Sequence, residues 1–304
     1  MFTDGEAEKP SRLFNRMGCP GRGGNGADMK IGKVYAVYFS AVGNTRQVTE
    51  EIAKELGEIL GCGRETIDFT LPADRAEAHE FPEDSLVVFG TPTYAGRIPN
   101  KVLPFVQTLF KGNGTPALAV VTFGNRNFDS SLTELKQELE KNDFRVFGAA
   151  AFACSHVFSD RIAPGRPDAA DLGILREFAA KAGRCIEEAK APSDLASPII
   201  RGGAPVAPYY TPLGMDGEPA KFLKAVPKTD PEICDNCGTC VRVCPMGSVG
   251  PDNVAEITGI CIKCQACIVK CPTGAKYFDD PAFLSHVSML EANYTRRAEP
   301  EIYI

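Results

Sequence analysis

Nothing in these 304 residues reads as a membrane span, for no apolar run comes near the roughly 20 residues that a helix needs to cross a bilayer. The N-terminus lacks the continuous apolar core of a secretory leader, so export is not expected. Positive charge is in deficit too, with 33 Lys and Arg against 39 Asp and Glu and a net charge of -6. Nucleic-acid surfaces are basic, which argues against nucleic acid as the main partner. Two phosphate-site signatures are missing. No G-x-G-x-x-G lies between the first strand-like run and the helix after it, and no Gly-rich loop runs into Gly-Lys-Ser/Thr. A dinucleotide fold and a P-loop are therefore not expected, nor is oxidation of NAD(P)H. The composition, 44% hydrophobic and 24% charged, suits a cytoplasmic globular protein of about two domains.

Cysteine, by contrast, is plentiful at 12 residues. Eight of them fall in Cys234-Asp-Asn-Cys237-Gly-Thr-Cys240-Val-Arg-Val-Cys244-Pro245 and its repeat, Cys261-Ile-Lys-Cys264-Gln-Ala-Cys267-Ile-Val-Lys-Cys271-Pro272. Zinc would use four ligands per site, but it has no need of a third Cys at fixed spacing, a fourth three residues on, and a Pro after it. A disulfide framework needs an oxidising compartment, which nothing here suggests. Each half is the C-x2-C-x2-C-x3-C-P run of bacterial-type ferredoxins, and the pair resembles a two-cluster ferredoxin domain. That resemblance implies two [4Fe–4S] clusters. One would be held by Cys234, Cys237, Cys240 and Cys271, the other by Cys261, Cys264, Cys267 and Cys244. Cys19, Cys62, Cys154 and Cys185 show no pairing logic and read as reduced thiols, Cys154 as a small buried hydrophobe.

Residues 1–30 are polar and Gly-rich and read as a flexible extension, with Met29 a candidate natural start. From Lys33 the pattern changes. Residues 34–39 form a continuous apolar run, as in a parallel strand buried on both faces. Further strand-like runs lie near 65–70, 85–91, 116–123 and 145–154. Helical spacing appears at 45–60, 99–111, 129–142 and 168–190. This alternation predicts an α/β fold over 31–192, a flavodoxin-like doubly wound five-stranded parallel sheet of order 2-1-3-4-5. Residues 193–229, rich in Pro and Gly and carrying Tyr209-Tyr210, form a linker that the apolar Ile199-Ile200 and Phe222-Leu223 tilt toward a docked segment. A small α+β two-cluster ferredoxin domain follows over 230–277. The tail, 278–304, has helical potential around 281–293 and ends in an apolar Glu-Ile-Tyr-Ile that could pack back on the sheet.

Three loops at the carboxyl edge of that sheet carry the remaining chemistry. Ser40-Ala41-Val42-Gly43-Asn44-Thr45 leads into a helix, offering hydroxyls and backbone N–H groups to a phosphate, although Ser or Asn there is also an ordinary cap. Thr91-Pro92-Thr93-Tyr94-Ala95-Gly96-Arg97 and Phe123-Gly124-Asn125-Arg126-Asn127-Phe128 follow later strands. Tyr94 or Phe128 could stack on a planar ring, and Arg97 and Arg126 could offset anionic charge.

Together with the cysteine motifs, these loops resemble the flavodoxin–ferredoxin fusion proteins of anaerobes over residues 30–304. Val42 departs from the Thr usual in the flavodoxin phosphate loop, and His156 sits where that family tends to carry a His. The resemblance implies FMN on the three loops and two [4Fe–4S] clusters. It also implies an electron-transfer protein serving soluble redox partners, a ferredoxin-type donor or acceptor among them. Two other readings stand beside it: an FMN-dependent reductase of a small organic substrate, and a dedicated reductase activating a partner enzyme. A homodimer would set one chain's cluster beside the other chain's flavin.

Overall fold

The computed structural model describes residues 29–202 and 205–304. All but the last two residues of the expected N-terminal extension, Cys19 included, lie outside that range. The central sheet is built from β1 (Lys33–Tyr38), β2 (Gly63–Asp68), β3 (Ser85–Pro92), β4 (Thr115–Phe123) and β5 (Phe144–Ala153). These five are parallel in the expected order 2-1-3-4-5. β3, β4 and β5 are apolar and almost wholly buried, as a sheet covered on both faces requires. β2, Gly-Arg-Glu-Thr-Ile-Asp, is a polar edge strand with little apolar signal of its own.

Alternation along each strand sorts the core into two layers. On one face Val34, Ala36 and Tyr38 pack with Val48, Ile52 and Leu56 of α1 (Asn44–Leu60) and Leu175 and Phe178 of α4 (Ala169–Glu188). On the other, Val37 and Phe39 meet Val106 of α2 (Leu103–Thr108) and Leu132, Leu135 and Leu139 of α3 (Ser131–Lys141).

The ferredoxin portion is closed by β6 (Lys228–Thr229) pairing antiparallel with β7 (Lys276–Tyr277). One-turn helices α5 (Thr239–Arg242) and α6 (Ala266–Val269) occupy matching places in the two cysteine repeats. The repetition extends to backbone conformation, with Asn236 and Lys263 at φ 55° and 57°, Gly238 and Gln265 at 69° and 64°. A glycine suits the left-handed region at the second place, and the repeat tolerates Gln there.

Beyond it, α7 (Pro281–Asn293) begins on Asp280, whose side chain accepts from Phe283 N. A final strand, β8 (Glu301–Tyr303), pairs antiparallel with the outer edge of β5, Ile302 opposite Ala150. The sheet therefore has six strands where sequence periodicity gave five. A three-residue strand carries no period of its own, but β5 would otherwise expose a flat apolar edge. Asn125 fastens the approach to this strand, donating to the carbonyls of Tyr294 and Arg296 at 2.7 Å each and accepting from Ala298 N at 3.1 Å. Of the cysteines outside the motif, Cys62 and Cys154 are free thiols. Cys185 is disulfide-bonded, contrary to the expectation of a reduced thiol.

Candidate functional site

At the carboxyl edge of the sheet the three predicted loops border one cleft of about 640 Å³. From the first loop Ser40, Ala41, Val42, Asn44 and Thr45 line it. Gly43, at φ 110°, is the N-cap of α1 and makes the sharp entry that an L-residue would strain. No side chain caps that helix through Gly43. Ser40 Oγ accepts from Arg46 N at 3.0 Å, so it caps the turn and keeps its own O–H to donate. Thr45 Oγ1 is tied to Thr122 Oγ1 at 2.8 Å beneath the loop, and Asn44 Nδ2 donates to Ser155 O at 3.0 Å.

Pro92, Thr93, Tyr94, Ala95 and Gly96 come from the second loop, and Phe123, Gly124, Arg126 and Asn127 from the third. Gly124 is dictated by packing, since a Cβ there would run into the ring of His156. Besides Gly43, four residues of the predicted set do not line the cleft. Thr91 is fully buried in the end of β3. Arg97 turns away from the cleft, pairing with Glu134 through Nε at 2.8 Å, donating to Ala207 O at 2.8 Å and covering the Tyr209 ring at 4.8 Å. Asn125 clamps the tail. Phe128, expected to be a stacking aromatic, packs in the core 5.5 Å from Phe123.

The cleft also gathers residues that the loops did not foretell. Tyr209 and Tyr210 border it from the 193–229 segment, which Tyr209 Oη donating to Ile98 O and Tyr210 N donating to Ala95 O, both at 2.8 Å, hold against the second loop. Arg126, paired with Asp129, lies 4.0 Å from the Tyr210 ring. Phe222 and Leu223 continue this wall, and Lys263 Nζ donates to Leu223 O at 2.9 Å. Ile260, Cys261, Ile262 and Lys263 of the ferredoxin portion form another part of it. His156 and His286 face the cleft as well. Burial, with His286 and Arg126 close by, pushes the His156 pKa down to about 4. His286, whose Nδ1 lies 2.8 Å from Leu213 O, is also lowered, chiefly by burial. No carboxylate side chain is among the described residues that line it. Backbone donors at a helix start, hydroxyls, aromatic walls and the cations Arg126 and Lys263 fit a phosphorylated planar ligand.

The cysteine repeats interleave. Cys244, from the first, lines a pocket together with Cys261, Cys264 and Cys267 from the second. Burial pushes the Cys264 and Cys267 thiols up to about 12, and the neighbouring thiols add to it. Backbone donors already approach sulfur: Ser248 N lies 3.3 Å from Cys244 Sγ and Lys263 N 3.4 Å from Cys261 Sγ. Among the described residues no three metal-ligating groups converge as on a single ion. Thiols distributed around a pocket suit a polynuclear cluster better than a zinc ion with sulfurs at about 2.3 Å. Of the other four, Cys240 is buried in an apolar cluster that Cys234 flanks, Cys271 is half-buried and Cys237 is exposed.

Two family profiles match, Flavodoxin over residues 37–155 and the 4Fe-4S dicluster domain over 233–276. The chain is thus a flavodoxin–ferredoxin fusion, its first domain implying FMN and its second two [4Fe–4S] clusters, with a role in electron transfer. No curated protein matches it. Among solved structures it is similar to a flavodoxin from the domain Archaea, at 13% identity over 51% of this chain and 98% of that one, with a TM-score of 0.38. The Megasphaera elsdenii flavodoxin in its two-electron reduced form shares 22% identity over 49% of this chain and 98% of its own, with a TM-score of 0.33. Rubredoxin oxygen:oxidoreductase from the anaerobe Desulfovibrio gigas shares 18% over 56% of this chain but only 38% of its own, with a TM-score of 0.35.

Proposed function

We propose that this protein carries electrons between soluble redox partners, exchanging single electrons at its ferredoxin domain and holding FMN in the cleft. One observation supports this above the rest: the loop that bears Cys261 is part of the wall of the cleft that the flavodoxin loops build. Bound FMN exchanges one or two electrons, whereas each cluster exchanges one. The chain's own part is spacing, exclusion of water and fixed charge. Ser40, Gly43 and Asn44 would hold the phosphate, while Thr93–Gly96 and Gly124–Asn127 would flank the ring. Cys234, Cys237, Cys240 and Cys271 would hold the outer cluster, nearest the exposed Cys237, and Cys244, Cys261, Cys264 and Cys267 the inner one. A one-electron carrier of the ferredoxin type would meet the Cys237 end. No described helix is long and apolar enough to cross a membrane, and the cytoplasm is the compartment this reading favours.

The test is anaerobic quantification of iron and flavin with EPR spectroscopy of the dithionite-reduced protein. About eight irons and one FMN per chain are expected. Markedly fewer irons, or no flavin, sinks the corresponding half.

A second reading, FMN-dependent reduction of a small organic substrate, is favoured by His156 and His286 facing the cleft. Turnover of a panel of quinones, nitroaromatics and enones, with reduced ferredoxin as donor, separates the two. Saturable turnover well above that of free FMN selects the reductase.

A further inference from the structure

Lys276 is the unexplained charge of the ferredoxin domain. It is 3% exposed, and its Nζ donates to the carbonyl of Val254. Among the described residues no carboxylate lies within ion-pair distance of it. A buried ammonium without a counter-ion is costly, and the group normally neutralises or finds an anion. The groups beside its anchor that carry negative charge when they hold a cluster are the cysteine sulfurs. Val254, which anchors Nζ, packs in one apolar cluster with Cys240, against Cys234, Cys244 and Cys267. That cluster draws on both quartets: Cys234 and Cys240 belong to one, Cys244 and Cys267 to the other. The β6–β7 ladder, in which Lys276 pairs with Thr229, fixes where the side chain starts.

We propose that Lys276 is a fixed positive charge shared by the two thiolate quartets, which makes both clusters easier to reduce and keeps their potentials in step. The idea rests on the cluster assignment above. A cation between two sites that each gain negative charge on reduction stabilises the reduced state of both. Since it is buried, solvent screens it little.

The experiment compares full-length, anaerobically loaded wild type with Lys276→Arg, Lys276→Met and Lys276→Gln by EPR-monitored redox titration. At the wild-type midpoint the oxidised-to-reduced ratio of both clusters is expected to rise about tenfold in the Met and Gln variants. The Arg variant should stay near wild type. Gln keeps a donor for Val254 without the charge, and so serves if Met fails to fold. A shift in only one cluster, no shift in either, or an equal shift in Arg and Met overturns the proposal. Folded neutral variants that lose iron while Arg retains it support it. Iron counted on the wild type separates these results from failure of the assignment itself, since a chain without clusters fails there first.

Discussion

His156 sits over Gly124 with its Nδ1 accepting from Phe158 N at 3.1 Å, so the remaining proton of the neutral ring belongs on Nε2. Burial keeps it neutral by lowering its pKa from 6.5 to about 4. Between those values the unfolded chain binds a proton that the folded chain refuses. Its contribution is whole above about pH 6.5 and declines toward about pH 4, by at most ~3 kcal/mol. Replacing His156 with Gln should flatten that part of the stability curve in urea titrations, and NMR of the wild type should show no His156 inflection near neutral pH. Tyr94 offers a second residue-scale prediction. It lines the cleft and packs in the same core as Cys264 and Ile262, where burial, reinforced by Cys264 and Cys261, raises its pKa well above the ordinary value. If its ring is packing between the cleft and the inner cysteines, Tyr94→Phe should leave the rate of flavin bleaching in stopped-flow unchanged. Tyr94→Ala should slow it; a loss as large in Phe as in Ala would make the hydroxyl, rather than the ring, the working part.

The same scale shows why some residues could be read from sequence and others not. Eight cysteines were legible because their spacing encodes a chemistry that few other arrangements share. Phe128 was not, because an aromatic at a loop end looks alike whether it faces a ligand or the core. Arg97 misled for a related reason: Glu134, which claims it, lies in α3, out of sight of any local pattern. Tyr209 and Tyr210 had only their place in a Pro-rich segment to betray them, and His286 had no signal at all.

Among elements, those with a strong period emerged nearly where expected. α1 spans Asn44–Leu60 against an expected 45–60, whereas the expected 99–111 helix shrinks to Leu103–Thr108 because Pro99 and the turns after it delay its start. β8 escaped notice, yet much depends on it. The tail reaches it through Asn125, itself at φ 68°, and through Arg166, which donates to Ala298 O while paired with Asp171 at 2.8 Å. Asn125→Ala strands three backbone groups and asks Ala to take a left-handed conformation. A loss of about 3 kcal/mol is expected in chemical denaturation. Limited proteolysis is then expected to cut near 294–300 faster than in the wild type.

On the scale of the whole molecule, the 193–229 segment is bonded on one side to the second flavodoxin loop and on the other to the ferredoxin portion, where Lys263 Nζ donates to Leu223 O at 2.9 Å. Electron exchange between the inner cysteines and the cleft should then be a first-order event. After rapid reduction of the ferredoxin domain, the rate of flavin bleaching is expected to stay constant as protein concentration varies over about two decades. A rate proportional to concentration would instead move the exchange between chains.

Because β8 returns to the sheet, the ferredoxin domain leaves the flavodoxin domain through one segment and comes back to it through another. A body moored by a single rope can drift anywhere within its length; one moored fore and aft can at most roll about the line joining its moorings. Lengthening either strand alone should therefore change little, and only slack on both sides should let the domain swing free.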